Sequence, residues 1–157
     1  MDKWDARFME LAKVISGWAS CYKANRKIGA VIVKNKRIVT TGYNGAPAGI
    51  KTCVERGECL REKLGIASGT HHEICYAVHA EQNAIIQAAR LGSSIDGATL
   101  YCTHQPCVLC AKMIVNSGIR RVVYHEGYPD EFSLQMLREG GVQLERFPAE
   151  EAAHEEE

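Results

Sequence analysis

A three-layer α-β-α fold, built on a mixed five-stranded sheet, is predicted by two features of the chain. Apolar segments of helical and of strand character succeed one another in the order α-β-β-α-β-α-β-α-β, the signature of helices laid over a sheet. The spacing between strands then sets their sense. Only residues 34–36, turning at Asn35-Lys36, separate the first two strands, so they form an antiparallel hairpin, whereas each later strand follows a helix and pairs in parallel.

The elements follow in order. Phe8, Leu11, Ala12 and Ile15 recur at helical spacing, with Val14 and Trp18 widening the stripe, which predicts a helix over 5–20. Residues 21–27 are a polar, cation-bearing connection. The run IGAVIV (28–33) reads as a buried strand and RIVTTGY (37–43) as its hairpin partner. Residues 44–49, NGAPAG, carry every breaker signal of a loop. Residues 53–75 show little periodicity beyond a turn of helix near 60–64, and a loop of that length is usually functional or anchored. The run AEQNAIIQAARL (80–91) is rich in helix formers, with Ala84, Ile85, Ala88 and Ala89 on one face. Strand 98–103 leads to a helix over 107–117, entered by Pro106 and ended by Gly118. Strand 121–124, a loop 126–130, a helix 131–138 and a strand 142–147 complete one domain, 1–148. Residues 149–157, an acidic tail without apolar pattern, are expected to be disordered.

Composition narrows the function. At 157 residues, 46% hydrophobic and 24% charged, the chain is an ordinary globular protein. Lys plus Arg equals Asp plus Glu at 19 each, which argues against a nucleic-acid binder with its basic excess. A small anionic substrate needs only one or two local cations. Seven cysteines without a signal-peptide pattern point to thiol ligands and a cytoplasmic location rather than to disulfides. No stretch has membrane-spanning length.

The chemistry is concentrated in His79-Ala80-Glu81 and Pro106-Cys107-Val108-Leu109-Cys110. His-x-Glu followed by Pro-Cys-x-x-Cys is the zinc-deaminase signature. His79, Cys107 and Cys110 fill three positions of a tetrahedral Zn²⁺ and leave the fourth open, the arrangement of a catalytic rather than a closed site. Glu81 completes nothing in that ligand set and is placed to carry a proton. Both motifs open a helix, where the helix dipole favours thiolates. Further along, the loop opened by Asn44 offers donors to a phosphate, with Arg26 and Lys27 close to the start of the paired strand. Cys53, Cys59, His71, His72 and Cys75 leave a structural metal and ordinary buried thiols as alternatives.

Taken together, GAVIV (29–33), TGYNGAPAG (41–49), VHAEQNAI (78–85), GATLYCTHQPCVLCAKMI (97–114) and SGIRRVVY (117–124) resemble the cytidine deaminase superfamily. The GYNGAP run (42–47), and GIASG (65–69) followed by Glu73-Ile74-Cys75, are similar to its deoxycytidylate (dCMP) deaminases in particular. The resemblance implies hydrolysis of dCMP to dUMP and ammonia, supplying dUMP for dTMP synthesis. It assigns zinc to His79, Cys107 and Cys110, and it assigns Glu81 the transfer of a proton from the attacking water to N3 and then to the leaving ammonia. The backbone N–H groups of Ala80 and Cys107 would position the base or the attacking oxygen. Asn44 would contact sugar or phosphate, Arg26 or Lys27 would be the cation, and His104 and Tyr128 are further contact candidates. The loop Gly42, Tyr43, Asn44, Gly45 is associated in the family with activation by dCTP with Mg²⁺ and inhibition by dTTP. Homo-oligomers, often hexamers, are common. Some relatives hold a second zinc, for which Cys21, Cys53, His71, His72 and Cys75 are the candidates here.

Three rival readings differ in class. A deaminase of a free nucleoside or of tRNA adenosine would share the fold; the neutral charge speaks against RNA and the Asn44 loop for a nucleotide. A structural zinc module would have a fourth protein ligand and no use for Glu81. A thiol-redox protein built on Cys107 and Cys110 would not need His79.

Overall fold

The computed structural model describes residues 1–148; the predicted tail lies outside them. The chain forms α1 (Lys3–Ser16), β1 (Gly29–Lys34), β2 (Arg37–Tyr43), the short α2 (Cys53–Arg56) and α3 (Leu60–Lys63), α4 (Ala80–Leu91), β3 (Thr99–His104), α5 (Val108–Ser117), β4 (Arg121–Glu126), α6 (Glu131–Glu139) and β5 (Gln143–Arg146). The strand order is β2-β1-β3-β4-β5. Pairing is antiparallel for β1 with β2 and with β3, and parallel for β3 with β4 and β4 with β5. The mixed five-stranded sheet is the one expected, with one addition: β3 pairs antiparallel with β1, a junction between the two halves that the spacing does not specify.

Alternation within the strands sends side chains to two cores. Val31, Val33, Tyr101 and Val123 meet Phe8, Met9, Ala12 and Ile15 of α1 on one face. Ala30, Ile32, Leu100 and Val122 meet Ala84 and Ala88 of α4, Ile114 of α5 and Leu137 of α6 on the other. Helix α1 differs from its prediction at its end. It stops at Ser16 with Gly17 as C-cap, and Val14 and Trp18 are 54% and 60% exposed, so neither belongs to the core stripe. Trp18 instead sets its ring edge-on to Tyr43.

Two glycines let helices lie directly on the sheet. A Cβ on Gly29 would stand 2.1 Å from the carbonyl oxygen of Ala12, and one on Gly42 would stand 2.2 Å from that of Ala80 and 2.6 Å from the amide of Ala84. No side chain fits at such distances. Gly42 thereby fixes the depth of the first turn of α4, the turn that carries Glu81.

Asp5 anchors α1 to the far side of the sheet. It is buried, accepts from the Tyr101 hydroxyl at 2.6 Å and pairs with Arg121 at 2.7 Å. The guanidinium holds its carboxyl far below the usual carboxylate range. No described helix is long and apolar enough to cross a membrane.

Candidate active site

His79 is the N-cap of α4 and Cys107 the N-cap of α5, so two helix starts deliver the predicted ligands from chain positions 28 residues apart. Each start is held by contacts beyond the helix's own backbone ladder. For α4, the Gln82 side chain accepts from the His79 amide at 2.9 Å. The preceding Val78 pairs with Gly45 through two backbone hydrogen bonds of 2.8 and 3.1 Å. For α5, Asp130 accepts from the Val108 amide at 3.0 Å with one carboxylate oxygen and caps its own helix α6 at Ser133 with the other. Gln105 donates to the Asp130 carbonyl and accepts from the Tyr128 amide. The turn bearing Pro106-Cys107 is thus tied to loop 126–130 on both sides.

The result is a compact donor set. His79 Nδ1 lies 3.2 Å from Cys110 Sγ and 3.5 Å from Cys107 Sγ. Among the described residues, His79, Cys107 and Cys110 form the one group of three or more metal-capable side chains whose ligand atoms lie within 4.8 Å of one another. Zinc bonds of about 2.0–2.1 Å to nitrogen and 2.3 Å to sulfur, set tetrahedrally, separate ligand atoms by roughly 3.5–3.8 Å, so these residues fit a Zn²⁺ with a small outward adjustment. Their electrostatics agree. The Cys107 thiol is pulled down to about 4, first by the hydrogen bond from Cys110 and then by His79, against the effect of burial. Cys110 is pushed up by the same bond to Cys107 and by burial. Both shifts arise first from the hydrogen bond between the two thiols. The His79 imidazole is raised, chiefly by its bond to Cys107.

Glu81 is 4% exposed and accepts from the thiol of Cys102 at 3.2 Å. Cys102 lies on the central strand β3, and its burial pushes its thiol well up, which keeps it a donor. Glu81 opens onto a cavity of about 440 Å³ that His79, Cys107 and Tyr128 also line. A volume of that order accommodates a small organic ligand.

The remaining predicted residues divide. Arg26, Asn44, His104, Tyr128, His72, Cys21, Cys53 and Cys75 line the cavity; Lys27, Ala80 and His71 are not in its wall. Asn44 has a definite structural task, accepting from the Ile28 amide and donating to the Arg26 carbonyl, both at 2.7 Å. It holds the Arg26 segment in the wall. His104 is engaged at both nitrogens, by Thr103 and by Glu126. Tyr128 rests its hydroxyl against Gly69 of the long insert. The two adjacent histidines part company. His71 adopts φ 46°, is exposed and binds Glu73. His72 sets its ring edge-on to His79, with centroids 5.4 Å apart.

Sequence reasoning missed three residues that bear on this region: Cys102 behind Glu81, Asp130 at the start of α5, and Arg61 in the cavity wall. Asp130 alone carried a signal, as an aspartate directly before a predicted helix.

With the site in view, its relatives can be placed. Residues 2–126 match the cytidine and deoxycytidylate deaminase zinc-binding region. The chain belongs to this family. It is 39% identical over 147 residues to a deoxycytidylate deaminase of Saccharomyces cerevisiae, covering 92% of this chain and 45% of that one. It is 41% identical over 126 residues to that of Mycobacterium phage D29, covering 77% and 93%. The chain spans less than half the length of the S. cerevisiae relative and, at 44%, of a Schizosaccharomyces pombe relative too. Among solved structures, the dCMP deaminase of cyanophage S-TIM5, in complex with dCMP and dUMP, superposes with a TM-score of 0.77 at 34% identity, covering 94% of this chain and 99% of the other.

Proposed function

We propose that the chain hydrolyses dCMP to dUMP and ammonia. The observation that carries this reading is Glu81: a buried carboxylate, open to a substrate-sized cavity, beside a His-Cys-Cys donor set that it does not complete. His79, Cys107 and Cys110 would hold Zn²⁺. When bound, zinc supplies the Lewis acidity that lets water attack at neutral pH. Glu81 takes one proton from the attacking water and passes it to pyrimidine N3 as the C4–O bond forms; it then takes the second proton from the C4 hydroxyl and delivers it to N4, so that C4=O forms as the C4–N4 bond breaks and ammonia leaves. Cys102 holds that carboxylate from below. The amides of Ala80 and Cys107 lie where the two helices begin and would position the base or the attacking oxygen. Arg26, kept in place by Asn44, faces the rest of the nucleotide, with His104 and Tyr128 completing the wall. The cyanophage structure with dCMP and dUMP supports the choice of substrate.

Three finer assignments belong with this reading. For a second structural zinc the candidates are Cys21, Cys53, Cys59 and Cys75, which all line the cavity. The Cys53 thiol is raised by burial and then by Cys75, Cys21 and Cys59. Cys59 thus replaces His71, which faces solvent, and His72, which faces His79. Control by dCTP with Mg²⁺ and by dTTP would act at 42–45, whose Gly45 is bonded to the residue before His79. Assembly as a homo-oligomer, a hexamer by resemblance, is supported by exposed Ile38, Tyr43 and Leu91 around edge strand β2. All seven cysteines are free, which suits a cytoplasmic enzyme.

Ammonia release, measured over cytosine, cytidine, deoxycytidine, CMP, dCMP and dCTP, tests the proposal. The highest kcat/KM is expected for dCMP. Equal values for deoxycytidine and dCMP would move the chain to the nucleoside branch of the fold.

A further inference from the structure

We infer that Arg61 supplies the charge by which this cavity selects a 5′-phosphorylated pyrimidine over the bare nucleoside. The inference rests on the dCMP reading above and adds the residue that enforces it. Arg61 is 5% exposed and lines the cavity. Its partners are neutral: Nη2 donates to the carbonyls of Ala67 and Thr70, and Nη1 to that of His71. Among the described residues no carboxylate pairs with it. Arg121 makes the contrast, since it is more exposed yet held by both Asp5 and Glu145.

A buried cation without a counter-charge is costly. Carbonyl dipoles soften that cost and hold the group still, and they leave the net charge in place. A guanidinium has five N–H donors. The three bonds leave Nε–H and one Nη1 N–H. No fully buried side-chain nitrogen among the described residues lacks a partner, so Nε, which has none, keeps accessible surface, and Arg61 lines the cavity. What remains is a rigidly held cation with two spare donors, the arrangement a phosphate accepts best.

Its neighbours fit the same ligand. An ion pair between Lys23 and Glu62 ties α3 to the segment carrying Arg26, and it occupies Lys23. Arg26 lines the same cavity, and the Tyr128 phenol feels both Arg61 and Arg26. Two cations and a hydroxyl thus stand in one cavity with Glu81 and Cys107. A base–sugar–phosphate molecule can answer both regions; a nucleoside answers one.

The test compares zinc-loaded full-length wild type with Arg61→Met and Arg61→Lys, on dCMP and on deoxycytidine, with thermal melts in dUMP and in deoxyuridine. Wild type is expected to prefer dCMP. Arg61→Met should lower the dCMP/deoxycytidine ratio of kcat/KM by about 10- to 100-fold, the scale of losing a charge-assisted contact, mainly through KM, and abolish the extra melting shift given by dUMP. Arg61→Lys should recover part of both. If Arg61→Met fails to fold, Arg61→Gln, whose amide still reaches carbonyls, is read in the same way. An equal fall on both substrates would make Arg61 a mere clamp on 67–71 and overturn the inference while leaving the dCMP reading intact. A wild type without preference for dCMP would overturn both.

Discussion

The two cysteine-histidine regions of this protein share one cavity but are built differently. His79, Cys107 and Cys110 stand at the starts of long helices pressed on the sheet, and each start is fixed by contacts beyond its helix's own backbone ladder. The insert 53–75 contains two four-residue helices and one 3-10 turn, with its central turn held by Arg61. In the first region packing sets the donor positions before any ligand arrives, to within a small adjustment of tetrahedral geometry. In the second, order comes from polar contacts and, on our proposal, from a metal. A closed structural zinc adds folding energy to a segment that lacks its own core, whereas an open catalytic site works best when it is rigid beforehand.

That difference can be tested from its strongest consequence downward. Glu81→Gln should leave the packed region intact, with its zinc and melting temperature retained, while turnover falls by at least ~10²–10⁴-fold, the range of general acid–base catalysis. Metal analysis alongside the rate decides it, and a variant that stays active with zinc bound would remove Glu81 from the mechanism. Gly42→Ala attacks the packing instead. Its methyl meets backbone at 2.2 Å, so α4 must lift, at a cost of about 1–3 kcal/mol. Zinc should then be held more weakly at His79, seen as faster loss to a chelator. Unchanged zinc retention would show that the glycine does not set the site. Cys53→Ser should act on the insert alone. A fall from two zinc ions per chain to one, with a melting temperature lower by several degrees, is expected, at roughly 2–4 °C per kcal/mol for a chain of this size. One zinc per chain in fully active wild type would return Cys53 and its neighbours to the role of buried thiols.

The parts of the molecule that sequence made legible are those where one local signal suffices. Apolar periodicity marked α4 and α5, the two-residue turn marked the hairpin, and fixed spacing marked His79, Glu81, Cys107 and Cys110. The rest depends on partners distant along the chain. Asp130 caps a helix that begins 22 residues earlier, and Cys102 reaches Glu81 only because β3 runs beneath α4. Spacing could not separate His71 from His72, since one left-handed residue turns the first outward. Periodicity overextended α1 for a related reason: Trp18 continues the apolar stripe in sequence, but the helix has already ended at Gly17, and its ring turns to Tyr43.

The central place of β3 also has a kinetic consequence. Helix α4 packs on β1 and β2 and touches α5, which follows β3 along the chain; β3 pairs with β1 on one side and β4 on the other. The donor set therefore comes into being only when β3 docks between strands from opposite halves of the chain, a non-local step of the kind that slows folding. High-affinity metal capture must then lag the hairpin during refolding, and a chromogenic zinc chelator present from the start would record the closing of the sheet.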